Sequence, residues 1–343
     1  MTPLERTLAA LSHREGDRPP VFLLLTNHGA RELGLSIEDY CQSAGHLVEG
    51  QLRLRAKFGH DCLFAFFHAA VEHEAWGGRT HFIGDGPPNS GDLLLRDVRQ
   101  IPSLEAPVIA DQPALQRVLQ AISSLRERSR GEVPVLGVVL SPFSVPVMQL
   151  GFSGYLDLLL EAEASPHARA LLERLLTLNA DFAVRWGNAQ LAAGATALAY
   201  FDPLSSSTLT SPSLGVDIGL TLATRVLAKL KGPAAMHFAS GRISSRLEAA
   251  IATGASVLGV SAEDDLAELK RRCAGKVALL GNLNGIEMVR WSAVEASQKT
   301  RSSLDAAARG GGFILADNHG EIPFQVKDEV LHAIVQTTAE WAS

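Results

Sequence analysis

The chain has 343 residues, of which 46% are hydrophobic, 20% charged and 6% aromatic, and its net charge is −6 at neutral pH. That composition supplies a sizeable core and excludes wholesale disorder. A mildly acidic balance without a basic stripe excludes nucleic acid and anionic membrane surfaces as partners.

Cys41, Cys62 and Cys273 stand far apart with no CxxC pair, the pattern expected of reduced thiols in a cytoplasmic protein. Residues 1–20 carry charges throughout and lack the apolar core of a secretory signal. They read instead as an N-terminal helical extension. Short apolar runs then alternate with helical patterns. The runs are PVFLLL (20–25), CLFAFF (62–67), PVLGVVL (134–140), TALAYF (196–201), AAMHFA (234–239), ASVLGV (255–260), KVALLG (276–281) and GFILAD (312–317). Unbroken apolar runs suit parallel strands buried on both faces. Between them, stretches such as residues 37–59, 165–194 and 262–275 place apolar residues three and four apart. Gly59, Gly194, Gly254 and Gly275 fall where those helices should stop.

The segment from Val133 to Leu156 has no charge, but Pro134, Pro142, Pro146, Gly151 and Gly154 interrupt it. It reads as a buried strand and a turn rather than a membrane span. The stretch from Glu72 to Gly131 is the irregular part, an insertion after the second strand. No linker divides the chain, so residues 1–343 read as one α/β domain, a distorted (β/α)8 barrel of TIM type. A doubly wound sheet is the competing fold, but TNHGARELG after the first strand is no GxGxxG turn.

In such barrels the chemistry gathers at the C-terminal strand ends. Those ends carry Thr26, Asn27 and His28; His68 with Glu72, His73 and Glu74; Ser141; Asp202; His237; Ser261; Asn282; and Asp317, Asn318 and His319. Histidine reaches four of the eight ends although the chain has 11 in all. Histidines and carboxylates at one mouth are the make-up of an acid–base or metal site. His68, Glu72 and Asp202 are the catalytic candidates, and His28, Ser141 and Asn282 the substrate-binding ones. Each has an ordinary structural alternative: His28 as a cap, His68 as a core histidine, Asp202 as a turn residue before Pro203. No GxSxG elbow is present, which argues against a Ser–His–Asp hydrolase.

The ordered set GHDCLFAFFHAAVEHEAWGG (59–78), SPFSVPVMQLG (141–151), AYFDPLSSS (199–207), MHFASG (236–241), ALLGNLNG (278–285) and GGGFILADNHGEIPFQVKDEVLHAI (310–334) resembles the uroporphyrinogen decarboxylase superfamily. Within it the chain is similar to the methylcobamide-dependent methyltransferases. The resemblance implies a distorted barrel with its active site at the C-terminal mouth. True decarboxylases carry an arginine-rich segment of the form RQAGRY after the first strand to grip an eight-carboxylate substrate. Here LLLTNHGARELG offers only Arg31, and His68 stands where the decarboxylases place an aspartate.

The thiol-methylating branch binds zinc through His-x-Cys after strand five and a cysteine after strand eight. This chain keeps the first ligand as His237 but has Ala239 and His319 at the cysteine positions. The resemblance therefore implies His237 and His319 as metal ligands, with Glu72 as the third, in a His/His/carboxylate set fit for zinc or iron. The implied activity is methyl transfer between a methylated small molecule and methylcobamide carried by a corrinoid protein or free corrinoid. A decarboxylase or other lyase acting on a smaller carboxylated substrate is one alternative; a non-catalytic corrinoid or tetrapyrrole binding module is another. A homodimer is the candidate assembly.

Overall fold

A computed structural model describes residues 1–341. Its eight parallel strands are β1 (Val21–Phe22), β2 (Leu63–Phe64), β3 (Val135–Leu140), β4 (Ala197–Phe201), β5 (Ala234–His237), β6 (Val257–Gly259), β7 (Ala278–Leu283) and β8 (Phe313–Asp317). They lie in the order β1-β8-β7-β6-β5-β4-β3-β2, so the two ends of the curled sheet are consecutive in the chain. This is the distorted (β/α)8 barrel that the eight apolar runs predict.

The strands are buried or half-buried on both faces, and alternation sorts their side chains into two layers. Phe22, Leu136, Val138, Leu280 and Ile314 fill the lumen with Ala10 of the N-terminal helix Pro3–Leu11, which plugs the bottom. Val21, Val139, Leu198, Met236, Leu279 and Leu315 pack outward against the helices. Gly59, Gly194, Gly254 and Gly275 all adopt positive φ at helix ends, as their placement predicts.

Two local readings differ. The helix expected over 37–59 divides into Ile37–Cys41 and Ala44–Phe58, because the Ser43 side chain accepts from the His46 N–H and starts a new helix. The stretch after β2 is not all irregular. It includes a hairpin pairing Thr80–His81 with Asn89–Ser90, and the amphipathic helix Pro113–Arg128, which buries Leu115, Val118, Ile122 and Leu125. Among the described residues no helix is long and apolar enough to cross a membrane.

Strands β1 and β2 form no ladder with each other, yet the seam is closed. The Asp61 N–H donates to the Val21 carbonyl at 2.8 Å, and the Asp61 carboxylate accepts from the Val21 N–H at 2.9 Å. Arg6 and Arg18 bind the same carboxylate at 2.7 and 2.6 Å, tying the N-terminal helix to the seam. Higher up, the Gln51 side chain accepts from the Phe64 N–H and donates to the Leu25 carbonyl. Removing one member of a buried ion-pair cluster strands the other charges. Asp61→Asn is expected to lower the unfolding free energy by about 3–5 kcal/mol, read from urea denaturation; a change within error would show that the seam is held elsewhere.

Candidate active site

Beyond β2 the outer edge of β3 also lacks a strand partner, and side chains take its place. Gln190 accepts from the Val138 N–H at 2.9 Å and donates to the Val138 carbonyl at 2.6 Å. Its amide lies so close that a Cβ on Gly137 would sit 2.3 Å from it. Glu72 accepts from the Leu140 N–H at 2.9 Å. Burial pushes the Glu72 carboxyl up to about 8 against this single hydrogen bond. The residue read as a catalytic group and third metal ligand is thus spent on the sheet edge.

Other predicted residues are likewise turned from the mouth. The Asp202 carboxylate is sealed beneath the hydroxyls of Ser144 (2.9 Å) and Ser205 (2.6 Å), with burial raising its pKa. It follows the lumen-facing Phe201 by one residue and so takes the opposite face. Ser141 is wholly buried, its Oγ accepting from the Phe143 N–H and the Tyr200 hydroxyl. Asn282 points sideways and accepts from the Ser303 hydroxyl at 3.1 Å. His28 is buried against Phe324 with neither ring nitrogen partnered, and burial pushes it down to about 3. His68 packs edge-on to Phe82 with its Nε2 at 3.7 Å from Glu74, and burial lowers it to about 4.

What does converge is the pair of loops after β5 and β8. His237 projects into the lumen against Phe201, with ring centroids 4.8 Å apart. Its Nδ1 accepts from the Ala239 N–H at 3.1 Å, which assigns the proton to the buried, unpartnered Nε2. Burial, reinforced by His319, pushes His237 down to about 3, so it is neutral. Ala239 and Ser240 hold left-handed φ values of 46° and 70°, conformations that cost about 1–3 kcal/mol for residues with a Cβ. Cross-bonds maintain the turn: the Ser240 N–H donates to the Asn318 carbonyl, and the Ser261 hydroxyl to the Ser240 carbonyl, both at 2.8 Å. The Ser240 hydroxyl in turn lies 3.1 Å from His319 Nδ1. Burial lowers the His319 pKa as well.

Two residues past His319 stands Glu321, which strand-end reading does not reach. Thr26 and Asn27 both donate to its Oε1, the latter at 3.1 Å. Burial, reinforced by nearby Asp317 and opposed by the Thr26 hydrogen bond, pushes Glu321 up to about 7. Asp317 itself is raised to about 6 by burial, although its Oδ2 accepts from the N–H groups of His319 and Gly320. Gly320 must be small. A Cβ there would meet Phe201 at 2.2 Å.

His319, Gly320 and Glu321 form one side of a cavity of about 530 Å³, faced by Phe66, Leu140, Ser144, Val145, Met148, Phe201 and Leu204. No lysine or arginine lines it. Among the described residues no three histidine, cysteine, aspartate or glutamate side chains converge as a metal set. The His237/His319/Glu72 grouping does not form, since Glu72 is bound at the sheet edge. The residues present do not fit a zinc ion, and Cys41, Cys62 and Cys273 are buried elsewhere.

The uroporphyrinogen decarboxylase (URO-D) family model matches residues 2–341. The chain belongs to this family. Uroporphyrinogen decarboxylases of Idiomarina loihiensis and Cupriavidus necator are 25% and 28% identical to it, covering 98% and 96% of this chain and 96% and 90% of their own. Among solved structures, a methyltransferase from Methanosarcina mazei superposes with a TM-score of 0.86 over 100% of both chains at 19% identity. A B12-independent methionine synthase from Shewanella sp. W3-18-1 reaches 0.53 at 14% identity, covering 85% of this chain and 87% of its own. The URO-D framework is therefore shared by proteins named for different chemistries.

The Glu72 assignment has a consequence in pH. A carboxyl raised from 4.5 to about 8 contributes stability that is full below pH 4.5 and lost as pH rises towards 8. Glu72→Gln, which keeps an acceptor for Leu140, is expected to flatten that loss in melting temperatures taken across the range. Glu72→Ala should flatten it too, but lie about 1–3 kcal/mol below Glu72→Gln at every pH by orphaning the Leu140 N–H. Matching pH profiles for wild type and Glu72→Gln would refute the assignment.

Proposed function

We propose that this URO-D family member moves a methyl group between a methylated small molecule and a corrinoid, borne by a partner protein or free. The supporting observation is the composition of the mouth: Glu321 and His319 are its ionisable groups, and no cationic side chain lines it. A porphyrinogen with eight carboxylates needs several guanidinium or ammonium donors. Methyl transfer from a heteroatom needs none.

The methylated heteroatom must leave with the electron pair of its bond to carbon, and it must gain a proton. Glu321, raised to about 7, is protonated often enough near neutrality to donate one and is restored from water at the mouth. Neutral His319, held by Ser240, offers its free Nε2 to orient the heteroatom. Thr26 and Asn27 keep the Glu321 carboxyl aimed into the cavity. The corrinoid, when bound, supplies the methyl acceptor, or in the reverse direction the donor.

The curated relatives favour a second reading, decarboxylation of a smaller carboxylated substrate. The acid–base groups that reading would use are His68, which lies beside Glu74, and Asp202, which is buried beneath the Ser144 and Ser205 hydroxyls.

The test follows the cobalamin spectrum in mixtures of protein, reduced cobalamin and a panel of methyl ethers, thioethers and methylamines. Protein-dependent conversion to the methylated spectrum is expected, falling about 10²–10⁴-fold in Glu321→Gln. No conversion with any donor, together with production of coproporphyrinogen from uroporphyrinogen, would overturn the proposal.

A further inference from the structure

We infer that the mouth cavity selects a neutral, largely apolar substrate with one hydrogen-bond-accepting heteroatom, and rejects the anionic molecules that its overall architecture would accommodate. The inference deepens the methyl-transfer reading and rests on it for the identity of the reacting site. It is carried by the lining itself.

Phe66 and Phe201 form a floor of nearly parallel rings, with centroids 6.4 Å apart and planes at 16°. Leu140, Val145, Met148 and Leu204 make the walls. At the rim Phe152 and Leu209 are 52% and 49% exposed, an arrangement that favours entry of apolar molecules. The polar side chains that line the cavity are Ser144, His319 and Glu321. Ser144 is already donating to Asp202, which leaves His319 and Glu321 to meet a polar atom of the ligand.

An anion entering this space loses water and finds no counter-charge. A permanent cation is disfavoured by the same desolvation, because Glu321 is the one acidic side chain lining the cavity and is already bonded by Thr26 and Asn27. A neutral ether or thioether loses little on entry. Its heteroatom can accept from protonated Glu321 or from His319, while its apolar body covers the aromatic floor.

The experiment is a calorimetric titration of the full chain without corrinoid, so that it reads binding apart from methyl transfer. The probes are methoxybenzene, benzoate and phenyltrimethylammonium, similar in size and different in charge. Methoxybenzene is expected to bind at least about tenfold more tightly than either ion. Met148→Lys places an ammonium at a half-exposed position of the wall, and it should bring benzoate binding up to or above that of methoxybenzene with an unchanged circular dichroism spectrum. Either ion binding as tightly as methoxybenzene in the wild type, no methoxybenzene binding, or continued rejection of benzoate by Met148→Lys would overturn the inference. Methyl transfer observed despite such a result would leave the proposed reaction standing and remove only this selectivity.

Discussion

Side chains substituting for missing ladder partners are the constraint on which this barrel depends. A buried backbone N–H or carbonyl must be paired, and β1 and β2 are each only two residues long. Their neighbours would be left with open edges on both sides of the seam. Asp61 and Gln51 bridge β1 to β2, while Gln190 and Glu72 satisfy β3 above the point where β2 diverges. Each is a buried polar residue that would be costly alone and is hydrogen-bonded to the strand edges here. Because the seam is held by side chains, the chain after β2 is free to leave the sheet, carry Phe66 and Ala69 to the mouth and build the hairpin beyond it. The widened mouth is a product of that distortion.

The same burial sets the electrostatics of the mouth. Carboxyls there rise and imidazoles fall, so the charged form of every group is disfavoured. Burial raises both Glu321 and Asp317, and nearby Asp317 adds to the rise of Glu321, while the two N–H donors on Asp317 favour its own ionised form and leave Glu321 with the higher value. That ordering separates a structural carboxylate, which holds the His319–Gly320 turn, from one facing the cavity. The left-handed Ala239–Ser240 turn stores strain at the point where the loops after β5 and β8 meet. Its compensation is the set of cross-bonds that fixes His319.

Strand identity was legible because parallel strands buried on both faces leave unbroken apolar runs. Height in the barrel was legible too, since every candidate lies at or just beyond a strand end. Facing was not. Alternation sends His237 into the lumen, whereas Asp202, one position past lumen-facing Phe201, turns outward to Ser144 and Ser205. The role of Glu72 depends on β2 ending early, which no local pattern in CLFAFFHAAVEHE announces. Glu321 escaped because the chain folds back after Gly320, and its approach to Thr26 and Asn27 is a contact between residues almost 300 positions apart.

Identity of about a quarter across the URO-D relatives is enough to keep a barrel. The shared framework determines where a ligand sits, because strand ends and the loops after β5 and β8 converge there whatever their side chains. Charge in the lining determines which ligand is tolerated. On the proposed selectivity, passing from a polyanionic to a neutral substrate requires few framework changes: fewer cationic donors after β1, and an apolar lining along Val145–Met148 and at Leu204. A cavity without counter-charge also keeps Glu321 near the ionisation midpoint, since a lysine or arginine beside it would draw its pKa back down. On the proposed reading, selection against anions and a Glu321 that exchanges its proton near neutrality are two consequences of one lining.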